Sequence, residues 1–300
     1  MFIADTVSPS WDLVADYQIL THYPYMQHAY LAGTMVAILA GIVGYFMIVR
    51  NQSFAGHSLA NVGFAGATGA ALFGISPIIG LFIAGVCAAT GIHVLGLGSG
   101  QSRQNDVAVG AILTASLAIG YIFLFFTKSE YGGSVYTVLF GNPLGISAAD
   151  VQIIFATTII FGIILILIAR PLLFASIDPD VAAARGVPVR SLSLIYLLLL
   201  ALVVAVSVQI IGVLLIFALL VTPAAIANSL TPRPGFAVVL AISFGVLFTW
   251  LGLALSYFTQ YPVGFYITSL AFGTYVLVQV SHWVERRNSH ATVGPQGSVA

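Results

Sequence analysis

The chain has 300 residues, of which 60% are hydrophobic and only 6% charged, and its nine basic residues balance its nine acidic ones. Soluble domains carry about 25% charged residues, so an ordinary water-facing globular surface is excluded, and so is a disordered chain, which would be polar and charge-rich. The balanced charge gives no signal for nucleic acid, and a single cysteine, Cys87, excludes both an intrachain disulfide and a zinc–thiolate cluster. Cys87 lies in an apolar run and is expected to be a small buried residue.

In chain order, residues 1–29 carry Asp5, Asp12 and Asp16 without a basic stretch, so they do not read as a signal peptide. Trp11, Val14, Tyr17, Ile19 and Leu20 suit a helix lying on an outer membrane surface. A bilayer-crossing helix needs about 20 apolar residues. Nine stretches qualify: 30–49, 54–73, 77–97, 107–127, 151–169, 192–209, 212–228, 236–257 and 263–283. The second holds Gly56, Gly63, Gly66 and Gly69, a spacing that lets membrane helices approach closely. The segment 131–148 is too short and glycine-rich to cross, is broken by Gly141, Asn142 and Pro143, and reads as interfacial or re-entrant. Between 192 and 228 only Gln209 and Gly212 mark a reversal, so the count is eight or nine.

Basic residues favour cytoplasmic loops. With nine crossings, Arg50, Arg103, Arg170, Arg185, Arg190, Arg233, Arg286 and Arg287 share one face and only Lys128 lies opposite. That orientation puts the N-terminus outside and the C-terminus in the cytoplasm. The fold class is all-α, a polytopic transmembrane helical bundle. It comprises an extracytoplasmic segment 1–29, one membrane domain 30–283, and a polar, disordered cytoplasmic tail 284–300.

The loop after the fifth span has the punctuation of a short helix over 178–188. Asp178 is a good N-cap and Pro179 fits the first helical position. Asp180 sits at the positive end of the dipole and Arg185 at the negative end. Gly186 can take the left-handed cap, and Pro188 ends the helix. So short a helix is unstable alone and must lie against the membrane, its own spans or another protein. The chain has no Walker A motif, because Gly98-Ser-Gly-Gln-Ser102 lacks the lysine and the spacing. If ATP drives this protein, hydrolysis takes place on another polypeptide.

Ionisable groups at membrane depth are costly and need a partner or a purpose. His57 and Asn61 are spaced i, i+4 and share a helix face. His93 lies near the inner end of the third span, and Asp106 is expected to cap the fourth. Imidazole nitrogen and carboxylate oxygen suit first-row divalent metals, which makes His57, Asn61, His93 and Asp106 candidates for a metal pathway. Interhelical hydrogen bonding and helix capping are the structural alternatives.

Several segments in order resemble one known family, the membrane permeases of ABC importers for zinc, manganese or iron(II). They include Pro24-Tyr-Met-Gln-His-Ala-Tyr-Leu-Ala-Gly33, residues 50–74, Asp106-Val-Ala-Val-Gly110, Leu139-Phe-Gly-Asn142, the 178–188 helix and Ala218-Leu-Leu-Val-Thr-Pro-Ala-Ala225. In that family the second span carries an Asp and a His four residues apart, proposed to touch the metal in transit; here those positions hold His57 and Asn61. His93 matches no family ligand. The resemblance implies a permease subunit that is not itself an enzyme and holds no cofactor, with zinc or manganese as cargo. It further implies a second permease subunit, a homodimer, with ATP-binding cassette ATPase subunits docked on 178–188. An extracytoplasmic metal-binding protein would deliver the ion, and transport would be by alternating access. The alternatives are a permease for a metal chelate, siderophore or cobalamin, a secondary transporter that needs no ATPase, and a membrane scaffold.

Overall fold

The computed structural model describes residues 23–96, 102–127, 139–259 and 261–292. They form α1 (Pro24–Val49), α2 (Ser53–Leu72), α3 (Pro77–Gly96), α4 (Ser102–Phe126), a 3-10 turn (Pro143–Gly145), α5 (Ala148–Ile177), α6 (Pro179–Ala184), α7 (Val189–Ile211), α8 (Val213–Leu230), α9 (Pro234–Thr259) and α10 (Val263–Thr292). Among the described residues there is no strand. The expected surface helix around Trp11, residues 97–101 and the 131–138 part of the 131–148 segment lie outside the described residues.

Each of the nine predicted spans corresponds to one long helix, and seven of these helices are long and apolar enough to cross a membrane. The other two are α2, diluted by glycine, alanine and polar residues, and α8, whose apolar part is the shorter Leu215–Leu230. The bundle centres on α1 and α7, where 67% of each apolar window is buried, against 11% for α5. The long, almost uniformly apolar α5 therefore lines the outside of this subunit.

Small residues fix the packing of α2. A Cβ on Gly66 would collide with the Gly80 carbonyl of α3, and one on Gly69 would meet the Phe123 ring of α4 at 3.0 Å. The expected close approach is thus made to two helices at once. Four buried hydroxyls cost little because each donates to a backbone carbonyl. Thr68 bonds Phe64, Ser207 bonds Val203, Thr249 bonds Gly245, and Ser58 reaches across to Val109 of α4.

The reversal expected near Gly212 is present, and Gly212 alone makes it. Its backbone (φ 88°, ψ 157°) lies in a region open essentially to glycine. A Cβ there would also fall 2.5 Å from the Gly141 nitrogen, so the 139–141 segment presses on the junction. Before the junction α7 runs against α1, with Ser193 at Arg50 and Tyr196 at Val43. After it α8 runs against α2, with Val213 near Gly63 and the Phe217 ring at His57.

Several boundaries differ from expectation. The first helix begins at Pro24 rather than 30, because Pro at its start supplies a pre-set φ and has no N–H to lose. The fifth runs on past Arg170 and Pro171 to Ile177. Ser147 and Asp150 close a capping box at its start, each side chain bonding the other's backbone N–H. The last helix continues past Trp283 to Thr292, so the 284–300 segment is helical as far as it is described. Cys87 is exposed rather than buried. It lines an open apolar groove of about 680 Å³ between α2, α3 and α4, a surface that belongs in hydrocarbon.

Candidate functional site

Helix α2 offers its faces to different neighbours, because successive residues point about 100° apart around a helix. Ser58 faces α4, while His57 faces α8, its ring edge-on to Phe217 at 4.9 Å between centroids. His57 is exposed and Asn61, one turn on, is half-buried. The Asn61 amide nitrogen donates to the His57 carbonyl (2.9 Å) and lies 3.2 Å from His57 Nε2. An amide N–H only donates, so in this contact Nε2 is the acceptor. The lone pair that a metal would take is therefore held by Asn61. Rotation of the amide would free Nε2 and bring the amide oxygen beside it, which gives one imidazole and one carbonyl-type donor.

The other two candidates do not join this pair. His93 is half-buried in the last turn of α3. Asp106 is exposed and lies inside α4, which begins at Ser102, so it is not the N-cap that the sequence suggested. The start of α4 packs beside Phe54 and Ser58 of α2, away from the face that carries His57. Among the described residues no group of three His, Cys, Asp or Glu side chains is arranged to hold an ion.

The short helix α6 is formed by the residues predicted for it. The Asp178 carboxylate accepts from Val181 N–H at 3.0 Å, Pro179 opens the helix and Asp180 sits in its first turn. At its other end Gly186 takes φ +81°, with Gly186 N–H bonding Ala183 O and Val187 N–H bonding Ala182 O, both at 3.0 Å. That pair of bonds is a Schellman cap. Arg185 is the C-cap residue, and Pro188 is the N-cap of α7. Ala182 is completely buried, whereas Val181 and Arg185 are exposed. Ile177, at the end of α5, is 72% exposed. The helix is thus pinned by one small side chain and presents a mixed apolar and charged outer face.

In the sequence Arg50 marks only the orientation of the first span. In the structure it sits in the turn between α1 and α2, with its guanidinium 5.4 Å from the centre of the Tyr196 ring. Nη1 donates to Ser176 Oγ at 3.3 Å, Nη2 to Ser193 Oγ at 3.1 Å, and Nε to Gln52 Oε1 at 3.2 Å. Burial pulls its pKa below the ordinary guanidinium value, yet an arginine remains charged in proteins. Its partners are all neutral. The one signal in the sequence was a cation that follows an apolar run directly, with serines flanking the short helix.

At the opposite end of the bundle, a cavity of about 480 Å³ lies between α1, the 140–143 turn, α9 and the start of α10. Tyr25, Asn142, Ser256, Tyr257 and Tyr261 contribute its polar groups. His28 anchors α1 beside it, its Nδ1 3.2 Å from the Ile146 carbonyl.

Comparison with known proteins covers the same helices. Residues 22–282 match the family described as the ABC 3 transport family. The manganese transport system membrane protein MntC of Halalkalibacterium halodurans is 34% identical over 238 residues, 79% of this chain and 80% of that protein. The manganese import system permease protein ScaB of Streptococcus parasanguinis is 29% identical over 275 residues, 91% of this chain and 96% of that one. The solved structure of PsaBC from Streptococcus pneumoniae in complex with Fab superposes with a TM-score of 0.78 at 27% identity, covering 89% of this chain and 95% of that chain.

Proposed function

The chain belongs to the ABC 3 transport family, and from that premise we propose that it is the membrane permease of an ATP-driven importer for manganese or zinc. The observation that carries this reading is the sustained likeness to manganese transport membrane proteins along the helices that hold both the His57–Asn61 pair and α6. The names of those relatives favour manganese. Imidazole and an amide oxygen can serve either ion, and a pair with so few donors holds it loosely, as a transit site must if the ion is to leave.

In this reading the chain crosses the membrane nine times, with the N-terminus outside and α6 on the cytoplasmic face. Support comes from the nine long helices, from the clustering of arginines at one end, and from the antiparallel course of α7 and α8 about Gly212. Two copies form the permease, and an ATPase subunit docks on the outer face of α6 in each. Hydrolysis takes place on that separate polypeptide. An extracytoplasmic metal-binding protein delivers the ion at the end that carries the Tyr25–Tyr261 cavity. ATP-driven approach of the two ATPases moves α6 and turns the pathway past His57 from one side of the membrane to the other.

The test is uptake of radioactive manganese by vesicles that hold the permease with its ATPase, loaded with or without ATP. ATP-dependent uptake that zinc competes with is the expected result. Uptake at full rate without nucleotide would identify a secondary transporter instead. Uptake restricted to an organic chelate would refute a free-ion cargo.

A further inference from the structure

With α6 as the docking helix, the reading on which the role of Arg50 rests, movement of the ATPase reaches the permease first at α6. A force on α6 enters the bundle through the chain on either side, the end of α5, where Ser176 lies, and the start of α7, where Ser193 lies, as well as through the buried Ala182. Arg50 holds both serines. Its two Nη atoms donate one to each serine, and its Nε bonds Gln52, the residue from which α2 springs. The ring it lies over belongs to Tyr196, a fully buried α7 side chain whose hydroxyl donates to the Val43 carbonyl of α1 at 3.0 Å. One side chain therefore touches both flanks of α6 and the root of the helix that carries His57.

We infer that Arg50 is the positioning residue that transmits movement of α6 to α2, and so couples ATP hydrolysis to reorientation of the His57 face. Two features suit it to that task. The planar, five-donor fork of arginine can hold three separate acceptors in fixed relation, which the single ammonium of lysine cannot. Its acceptors are hydroxyls and an amide, with no carboxylate among them, so each bond can be exchanged as helices shift, where a buried ion pair would resist being broken. The Ser176 hydroxyl also donates to Leu172 O within α5, so its oxygen receives Arg50 while its proton stays in its own helix. The bond thus reports the position of α5 itself.

The experiment uses the complete complex of permease, ATPase and binding protein in proteoliposomes, with manganese(II) as the probe. ATP hydrolysis and manganese uptake are read in the same vesicles for wild type, Arg50→Gln, Arg50→Lys and the double variant Ser176→Ala/Ser193→Ala. In Arg50→Gln the ATPase remains bound and hydrolysis continues, while manganese delivered per ATP falls about tenfold, within the usual range of coupling between sites. The KM for manganese stays unchanged, because His57 and Asn61 are untouched. The double serine variant reproduces the loss with arginine in place, and Arg50→Lys does not restore it. Unchanged uptake per ATP in both Arg50→Gln and the serine variant overturns the link. A parallel fall in thermal stability, ATPase retention and hydrolysis also overturns it, since that is the signature of a structural brace. If Arg50→Gln does not assemble, the serine variant decides alone. Failure of the wild-type permease to retain any ATPase removes the docking reading and this inference together.

Discussion

His57 is accessible yet engaged, and that combination shapes what its substitution should do. Its Nε2 is engaged by the Asn61 amide, so an ion binding there must displace a hydrogen bond worth about 1 kcal/mol. Replacement of His57 by Ala removes the better donor of the pair. Loss of even a supporting partner of a metal ligand costs about 10–100-fold in affinity, so the KM for manganese uptake should rise at least tenfold while the complex assembles normally; an unchanged KM would discard the site. Asn61→Asp tests the same pair in the opposite direction. A carboxylate beside imidazole binds manganese more tightly, so KM should fall, and the maximal rate should fall with it as release slows. Gly212 supplies a different kind of residue-scale test. Its backbone angles cost an ordinary residue about 1–3 kcal/mol, and a Cβ would also push against the Gly141 nitrogen. Gly212→Ala should therefore lower the melting temperature of the purified permease, and a melting curve identical to wild type would show that the 139–141 segment yields freely.

At the scale of elements, α6 was legible in the sequence almost residue by residue, since a capped helix is specified locally. Asp178, Pro179, Gly186 and Pro188 each act within a few residues of their own position. The same locality makes its contributions separable. A Cβ at Gly186 would meet nothing within 4 Å, so a substitution there is opposed by backbone conformation alone. Asn tolerates the left-handed region and β-branched residues do not. ATPase co-purification should therefore rank wild type above Gly186→Asn above Gly186→Val, with the spans still folded in all three. Equal retention in Gly186→Val would mean that the Schellman cap does not shape the docking face. What the sequence did not disclose at this scale were contacts made across the bundle. Arg50 lies far along the chain from Ser176 and Ser193, and no local pattern links a cation at a helix end to hydroxyls that distant. The role of Asp106 failed for the opposite reason. A plausible cap stood next to an apolar run, but the polar residues from Ser102 onward extended the helix in front of it.

The whole molecule follows from composition more than from motif. Too few charges to cover a surface, long apolar runs and arginines gathered between alternate runs together prescribe a bundle of crossing helices before any residue is assigned a task. Helix boundaries were less legible, because a helix does not stop where the hydrocarbon stops: α5 continues through Arg170 and Pro171 into the region that holds α6. Orientation is the remaining global property, and it can be read directly. Cys87 faces the apolar groove and is the only native thiol, so Cys87→Ala gives a clean background. In that background Ala183→Cys, on the exposed side of α6, and Tyr261→Cys, in the exposed turn between α9 and α10, probe the two ends of the bundle. A membrane-impermeant maleimide should label Tyr261→Cys in intact cells and Ala183→Cys only in inside-out vesicles. Both sites labelling from the same side would break the alternation of crossings that puts α6 within reach of a cytoplasmic ATPase. Ala183→Cys labelling from outside would invert the protein and detach its docking helix from any source of ATP.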